Sequence, residues 1–130
     1  MTPQERLIAQ IKAQRQSWVE VAPATETQPA KRVRITRPPE NDVADFVTER
    51  DGRRTLEVGA SHVVKYVVDW DGVLESDLVG AAGSSDPAPF NSALFAIVVE
   101  DRLPWMRTIA SALLDSIVAH HEAQQTDAKN

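Results

Sequence analysis

Two aspartates one residue apart, at the end of an apolar run, are the side chains in this sequence best placed to do chemistry. The stretch is VVDWDGVLESD, residues 67–77, and the pair is Asp69 and Asp71. In such a pair one carboxylate can act as nucleophile on a phosphate ester and the other as general acid or base, with a divalent cation held between them. That chemistry makes further demands. The valine run must be a central parallel strand covered on both faces, and a Ser or Thr and a Lys must hold the transferring phosphoryl group. Lys65, inside the run, would then need a buried partner. IVVEDR at 97–102 could act as a last acidic motif, yet it follows Asp71 by only about thirty residues, too few for the crossovers of a doubly wound sheet. No lysine lies between Asp71 and Lys129. The pair therefore lacks its partners, and Trp70 is expected to be a core anchor at a helix end, with Gly72 its left-handed cap.

The order Asp-x-Asp-Gly-Val-Leu resembles the start of haloacid-dehalogenase-type phosphatases, so a fragment of such an enzyme stands as the minor alternative. His62, His120 and His121 could suggest a metal, but adjacent histidines on a helix diverge by about 100°, whereas ligands converge at i, i+3 or i+4. They read as solvated or helix-end residues. Lys31, Arg32, Arg34 and Arg37 form a basic run with no aromatic between the arginines to stack a base. Residues 1–60 carry 10 Lys/Arg against 9 Asp/Glu, and residues 61–130 carry 4 against 10, giving +1 and −6. An acidic half repels phosphate backbones, so nucleic acid is not an expected partner. The run reads instead as a charged edge strand or a contact with another copy of the chain.

The elements that must position these residues read as mostly helical. Thr2 and Glu5 form a capping box with Pro3 at the first helical position, and Leu7, Ile8, Ile11, Trp18 and Val19 follow at near-helical spacing. This predicts an amphipathic helix over 1–20, then a Pro-rich linker over 21–31 that lets the helix reach a neighbouring copy. KRVRIT reads as a short edge strand stopped by Pro38 and Pro39, and RTLEV as a second strand pairing with it. Asn41 caps a short helix bearing Val43, Phe46 and Val47. Residues 62–70 fit a helix by spacing and a strand by β-branching, and both readings stay open. Asn91 is an N-cap with Phe90 and Phe95 as a hydrophobic staple, and Met106 to Val118 form the clearest amphipathic helix. The fold expected is mainly α: a helical domain over 32–122 with at most a two-stranded ribbon, and a flexible polar tail over 123–130. The expected core anchors are Trp70, Phe90, Phe95, Trp105, Leu113 and Ile117; the expected self-association or partner-binding residues are Leu7, Ile11, Trp18, Arg32, Arg34 and Arg37.

At 130 residues the chain suits one domain. It has no cysteine, which removes disulfides and fits a reducing compartment. Its longest apolar run, ALFAIVV, falls far short of the ~20 residues that span a bilayer. MTPQERLIAQ has no signal-peptide pattern. The expectation is a cytoplasmic protein without membrane contact.

KYVVDWDGVLESDL, followed after a loop by PFNSALFAIVVEDRLPWMRTIASALLDSI, resembles the tail assembly chaperones of long-tailed (siphovirus-type) bacteriophages. The residues that carry the likeness are Trp70, Asp71, Gly72, Val73, Pro89, Phe90, Leu103, Pro104, Trp105 and Arg107, within residues 61–120. Residues 1–60 carry none of it. The resemblance implies a non-enzymatic protein without cofactor or metal that binds the helix-rich tape-measure protein and keeps it soluble while tail-tube subunits polymerise. It also implies self-association in the host cytoplasm and departure before the virion is complete. A head–tail connector or neck protein retained in the particle is the alternative.

Chaperones of this family are often made in two lengths through a −1 ribosomal slip, and Ala128-Lys129-Asn130 encoded as GCA AAA AAC would contain the slippery heptamer. The chain is then expected to be the short product, and a longer one would add a domain that recruits the tail-tube protein. Sequencing the 3′ end of the gene tests this: codons that break the A-run, with no overlapping −1 frame, rule it out.

Overall fold

The computed structural model describes residues 1–129. Asn130, and with it the end of the Ala-Lys-Asn triplet, lies outside the described residues.

Local signals set the first element. Thr2 Oγ1 accepts the Glu5 N–H at 3.1 Å and Glu5 Oε2 accepts the Thr2 N–H at 3.2 Å, closing the capping box on α1, Pro3–Gln14. The helix stops there, earlier than the apolar spacing predicts. Gln16–Ala22 is strand β1, antiparallel to β2, Lys31–Thr36. Val19 pairs with Val33 and Trp18 with Arg34, so neighbouring residues read as one helical stripe point to opposite faces of a sheet. The Pro-rich residues between them are a hairpin connection. Thr25 N–H donates to Gln28 O at 2.9 Å, and Gln28 N–H to Thr25 Oγ1 at 3.0 Å.

β2 is central, where an edge strand was expected. β5, Val67–Asp71, lies antiparallel on its other side, giving the order β1-β2-β5. Residues 62–70 divide between the two readings: α2, Ala60–Tyr66, runs directly into β5. RTLEV pairs elsewhere. β3, Val47–Arg50, and β4, Arg53–Leu56, form their own hairpin across Asp51 and Gly52, both at positive φ as a two-residue turn requires. Ahead of it, Glu40–Phe46 is a 3₁₀ turn rather than an α-helix capped by Asn41. With helix at 54% and strand at 22%, the fold is mixed α/β, not mainly α.

The helices after α1 cover one face of the sheet. α3 is Glu75–Val79 and α4 is Ser92–Glu100, capped by Asn91 Oδ1 on the Ala93 and Leu94 N–H groups at 2.9 and 3.2 Å. α5, Leu103–Lys129, buries Trp105, Ile109, Leu113 and Ile117, four residues apart. They meet Val33, Ile35 and Val67 of the sheet, Val63 and Tyr66 of α2, and Phe95, Val98 and Val99 of α4 in one core. Beyond Glu122, where a frayed tail was expected, α5 continues as helix through Lys129.

Trp70 sits on β5, not at a helix end. It is 6% exposed, its indole N–H donates to Ala88 O at 2.7 Å, and its ring meets Phe90 and Phe95 edge-on at 5.5 and 6.4 Å. Phe90 itself is only half-buried. Gly72, at φ +80°, does not cap a helix; it lets the chain leave β5 against the Ala30 carbonyl, which an added Cβ would approach to 2.1 Å. Lys31 is buried and paired with Asp77 at 3.2 Å, so it is not part of an exposed basic run.

Trp70→Ala should cost about 3–5 kcal/mol by cavity formation and an orphaned carbonyl, and Gly72→Ala should also destabilise clearly. Asp71→Asn, at a pair whose side chains stay 44% and 54% exposed, should cost no more than about 1 kcal/mol. Urea unfolding of the variants checks this order.

Candidate functional site

The two aspartates lie on the outer face of β5. Asp71 accepts from Arg32 at 2.7 Å, and Asp69 Oδ1 takes the N–H of its neighbour Trp70 at 2.9 Å. The phosphohydrolase reading needs them at the end of a central parallel strand; here they stand on an edge strand of an antiparallel sheet, with their cations across the strand.

Trp18 lies between two arginines on that same face. Arg32 and Arg34 of β2 stand over its ring at 5.0 and 5.2 Å. The aromatic missing from the basic run in sequence is supplied by β1 in space. Glu20, Asp69 and Asp71 share this face by register, so the cations are balanced by acids. Each cation–π contact at such an exposed site stabilises by roughly 0.5–1 kcal/mol.

Arg37 parts from the other arginines. Just past β2, it borders a cleft of about 420 Å³ lined by Pro38, Glu40, Val43, Leu56, Ile117, Val118, His120, His121 and Gln124. An adjoining hollow of about 300 Å³ adds Arg15, Pro39 and Asn41. The floor is aliphatic and the rim is charged. Burial and the nearby Arg15 pull the Arg37 guanidinium below its ordinary value, and Glu40 partly offsets them. His120 meets Glu40 at 3.2 Å across the rim, and His121 contacts Gln125 at 3.1 Å. His62 is elsewhere, accepting the Gly59 N–H at 3.1 Å with its ring 4.3 Å from that of Phe46. Among the described residues no group of three or more His, Cys, Asp or Glu is placed to hold a metal ion.

The cleft wall is pinned from below. The Tyr66 hydroxyl donates to Asp42 Oδ2 at 2.7 Å, and Lys65 Nζ lies 3.7 Å from the same oxygen, fixing the 3₁₀ turn that carries Glu40 and Val43. α1, by contrast, buries nothing. Leu7, Ile8 and Ile11 are 52%, 53% and 50% exposed.

The structure thus gathers Trp18, Arg32 and Arg34, sends Arg37 to the cleft, and leaves Leu7 and Ile11 on a separate helix. Ile117 both fills the core and lines the cleft. Sequence reasoning missed Arg15, Val43, Leu56, Val118 and Gln124. The only local signal was Val118, an apolar residue beside the buried stripe of α5 that remains 41% exposed. Comparison with family models, curated proteins and solved structures finds no match to this chain.

Burial and the Asp42 carboxylate raise the Tyr66 phenol above its ordinary value of 10.0. A raised folded value means that the contribution is complete below pH 10 and is lost as pH climbs through the folded value. Tyr66→Phe should therefore lower stability by about 1–3 kcal/mol at neutral pH and show a smaller deficit at strongly alkaline pH. Urea midpoints of both proteins across that range check the sign.

Proposed function

We propose that this chain is a non-enzymatic assembly chaperone of the kind it resembles, holding a helical segment of a tape-measure protein in the host cytoplasm. The observation that carries the reading is the open cleft beside α5, with an aliphatic floor of Val43, Leu56, Ile117 and Val118 and a rim bearing Arg15 and Arg37. Its volume lies within the ~300–1,000 Å³ of ordinary ligand sites. Neither Arg15 nor Arg37 has a carboxylate within salt-bridge distance among the described residues. An amphipathic helix with aliphatic residues on one face and acids beside them fits both features. The chaperone would leave before the virion is complete, and a longer product of the same gene would bring in the tail-tube protein.

The test is co-expression with the long helical protein encoded next downstream. Wild-type chain should keep that protein soluble, and Val118→Glu should abolish the effect while leaving the chain's own melting temperature unchanged. Equal solubility with both chains, or recovery of this chain from purified virions, would count against the reading.

A further inference from the structure

The two edges of the three-stranded sheet are treated differently. Past β5 the chain runs against residues 86–88: Ala88 N–H donates to Val73 O at 2.8 Å, and Leu74 bridges Pro87. β1 has β2 as its neighbour on one side and, among the described residues, no strand on the other. The Arg37 N–H donates to Arg15 O at 2.7 Å, which sets the phase of the β1–β2 ladder. Ser17 and Val19 then exchange hydrogen bonds with Ile35 and Val33, while Gln16, Trp18 and Glu20 turn their N–H and C=O groups outward. β1 contains neither proline nor lysine to blunt such an edge, apart from the irregularity after Glu20. Its inward Val19 and Val21 stay half-buried, although the paired Val33 is fully buried.

We propose that the outer edge of β1 is the docking surface for β1 of a second copy, antiparallel and centred on Trp18. This register is self-complementary, as a two-fold interface must be. Trp18 faces its own counterpart, and Gln16 faces the partner's Glu20, an amide against a carboxylate. No like charges stand opposite one another, and three residues a side give about six backbone hydrogen bonds. A strand pair alone falls short of the ~1,200 Å² that a stable interface buries. The segment that supplies β1 also supplies the uncovered Leu7, Ile8 and Ile11 of α1, and this register brings the root of each α1 to the far end of the partner's strand. The surface is separate from whatever fills the cleft, so either assignment can fail alone.

Sedimentation of the full chain tests it. Wild type should be dimeric at micromolar concentration. Glu20→Pro removes an outward N–H and leaves the β1–β2 ladder intact, so it should weaken association roughly tenfold or more, whereas Glu20→Ala should not. Trp18→Asp sets a carboxylate between Arg32 and Arg34 of its own chain but opposes two carboxylates across the axis, and should act like Glu20→Pro. Val118→Glu should leave the dimer unchanged. Hydrogen exchange on unmutated chain supplies a reading that needs no variant: the Trp18 and Glu20 amides should become protected as concentration rises. A wild-type chain that remains monomeric, or a dimer in which those amides exchange as in the monomer, overturns the proposal.

Discussion

The indole of Trp70 is a large apolar ring carrying one N–H that must be satisfied inside the core. Its hydrogen bond to Ala88 O ties β5 to the loop before α4. That bond fixes where Phe90 and Asn91 lie, and Asn91 in turn starts α4 by capping two of its free N–H groups. α4 then delivers Phe95, Val98 and Val99 to the face of α5. On the other side of Trp70, Gly72 allows the backbone to pass against Ala30, and Lys31 closes the same junction through Asp77. A tryptophan without its carbonyl would bury an unpaired donor and lose the register of three elements together. Asp69 and Asp71 flank this anchor as surface residues of the strand.

What was legible in the sequence was local. The capping box of α1 and the Asn91 cap act within three residues, and the four-residue stripe of α5 acts within one helix, so each shows in the order of residue types. β1 was not legible. Ser17 to Val21 alternates only in relation to β2, and until that pairing is known Trp18 and Val19 extend the spacing of Leu7 and Ile11 equally well. The Pro- and Thr-rich stretch has the composition of a linker, yet with both flanks in one hairpin it is a loop. The β-branched residues of 62–70 left helix and strand both open, and the structure uses both. Val63 and Val64 are held in a helix by packing against α5 and α4, and from Val67 onward pairing with β2 takes over.

The cleft illustrates the same limit at the level of a site. Its walls come from residues 15, 37–43, 56 and 117–124, far apart in the chain and joined only by the fold. Of these, sequence reasoning had marked Arg37 as part of a basic run, Ile117 as core, Pro38 and Pro39 as a strand stop, Asn41 and Val43 as a short helix, Val118 as the end of the amphipathic stripe and His120 and His121 as helix-end residues, and had joined none of them into one site. Arg37 leaves the run because β2 ends at Thr36 and Pro38 turns the chain inward, where Pro38 is fully buried. The position of the cleft also depends on α5 extending past the body of the domain. That extension has its own local support: Thr126 Oγ1 donates to Glu122 O, and Gln125 meets His121 one turn back.

Scaffold and surface are not divided along the chain. Residues 61–120 supply Trp70, Phe95, Trp105, Ile109, Leu113 and Ile117 to the core, and residues 1–60 supply Val33, Ile35 and Phe46 to it. The groups at the sheet edge and around the cleft also come from both parts: Trp18, Arg15, Arg37, Val43 and Leu56 from the first, Val118 and His120 from the second. Core and rim answer to different constraints, because burial fixes shape and volume at the anchors while leaving the rim free to vary in charge. Recognition of a partner is therefore read from the cleft and the edge strand rather than from the buried anchors.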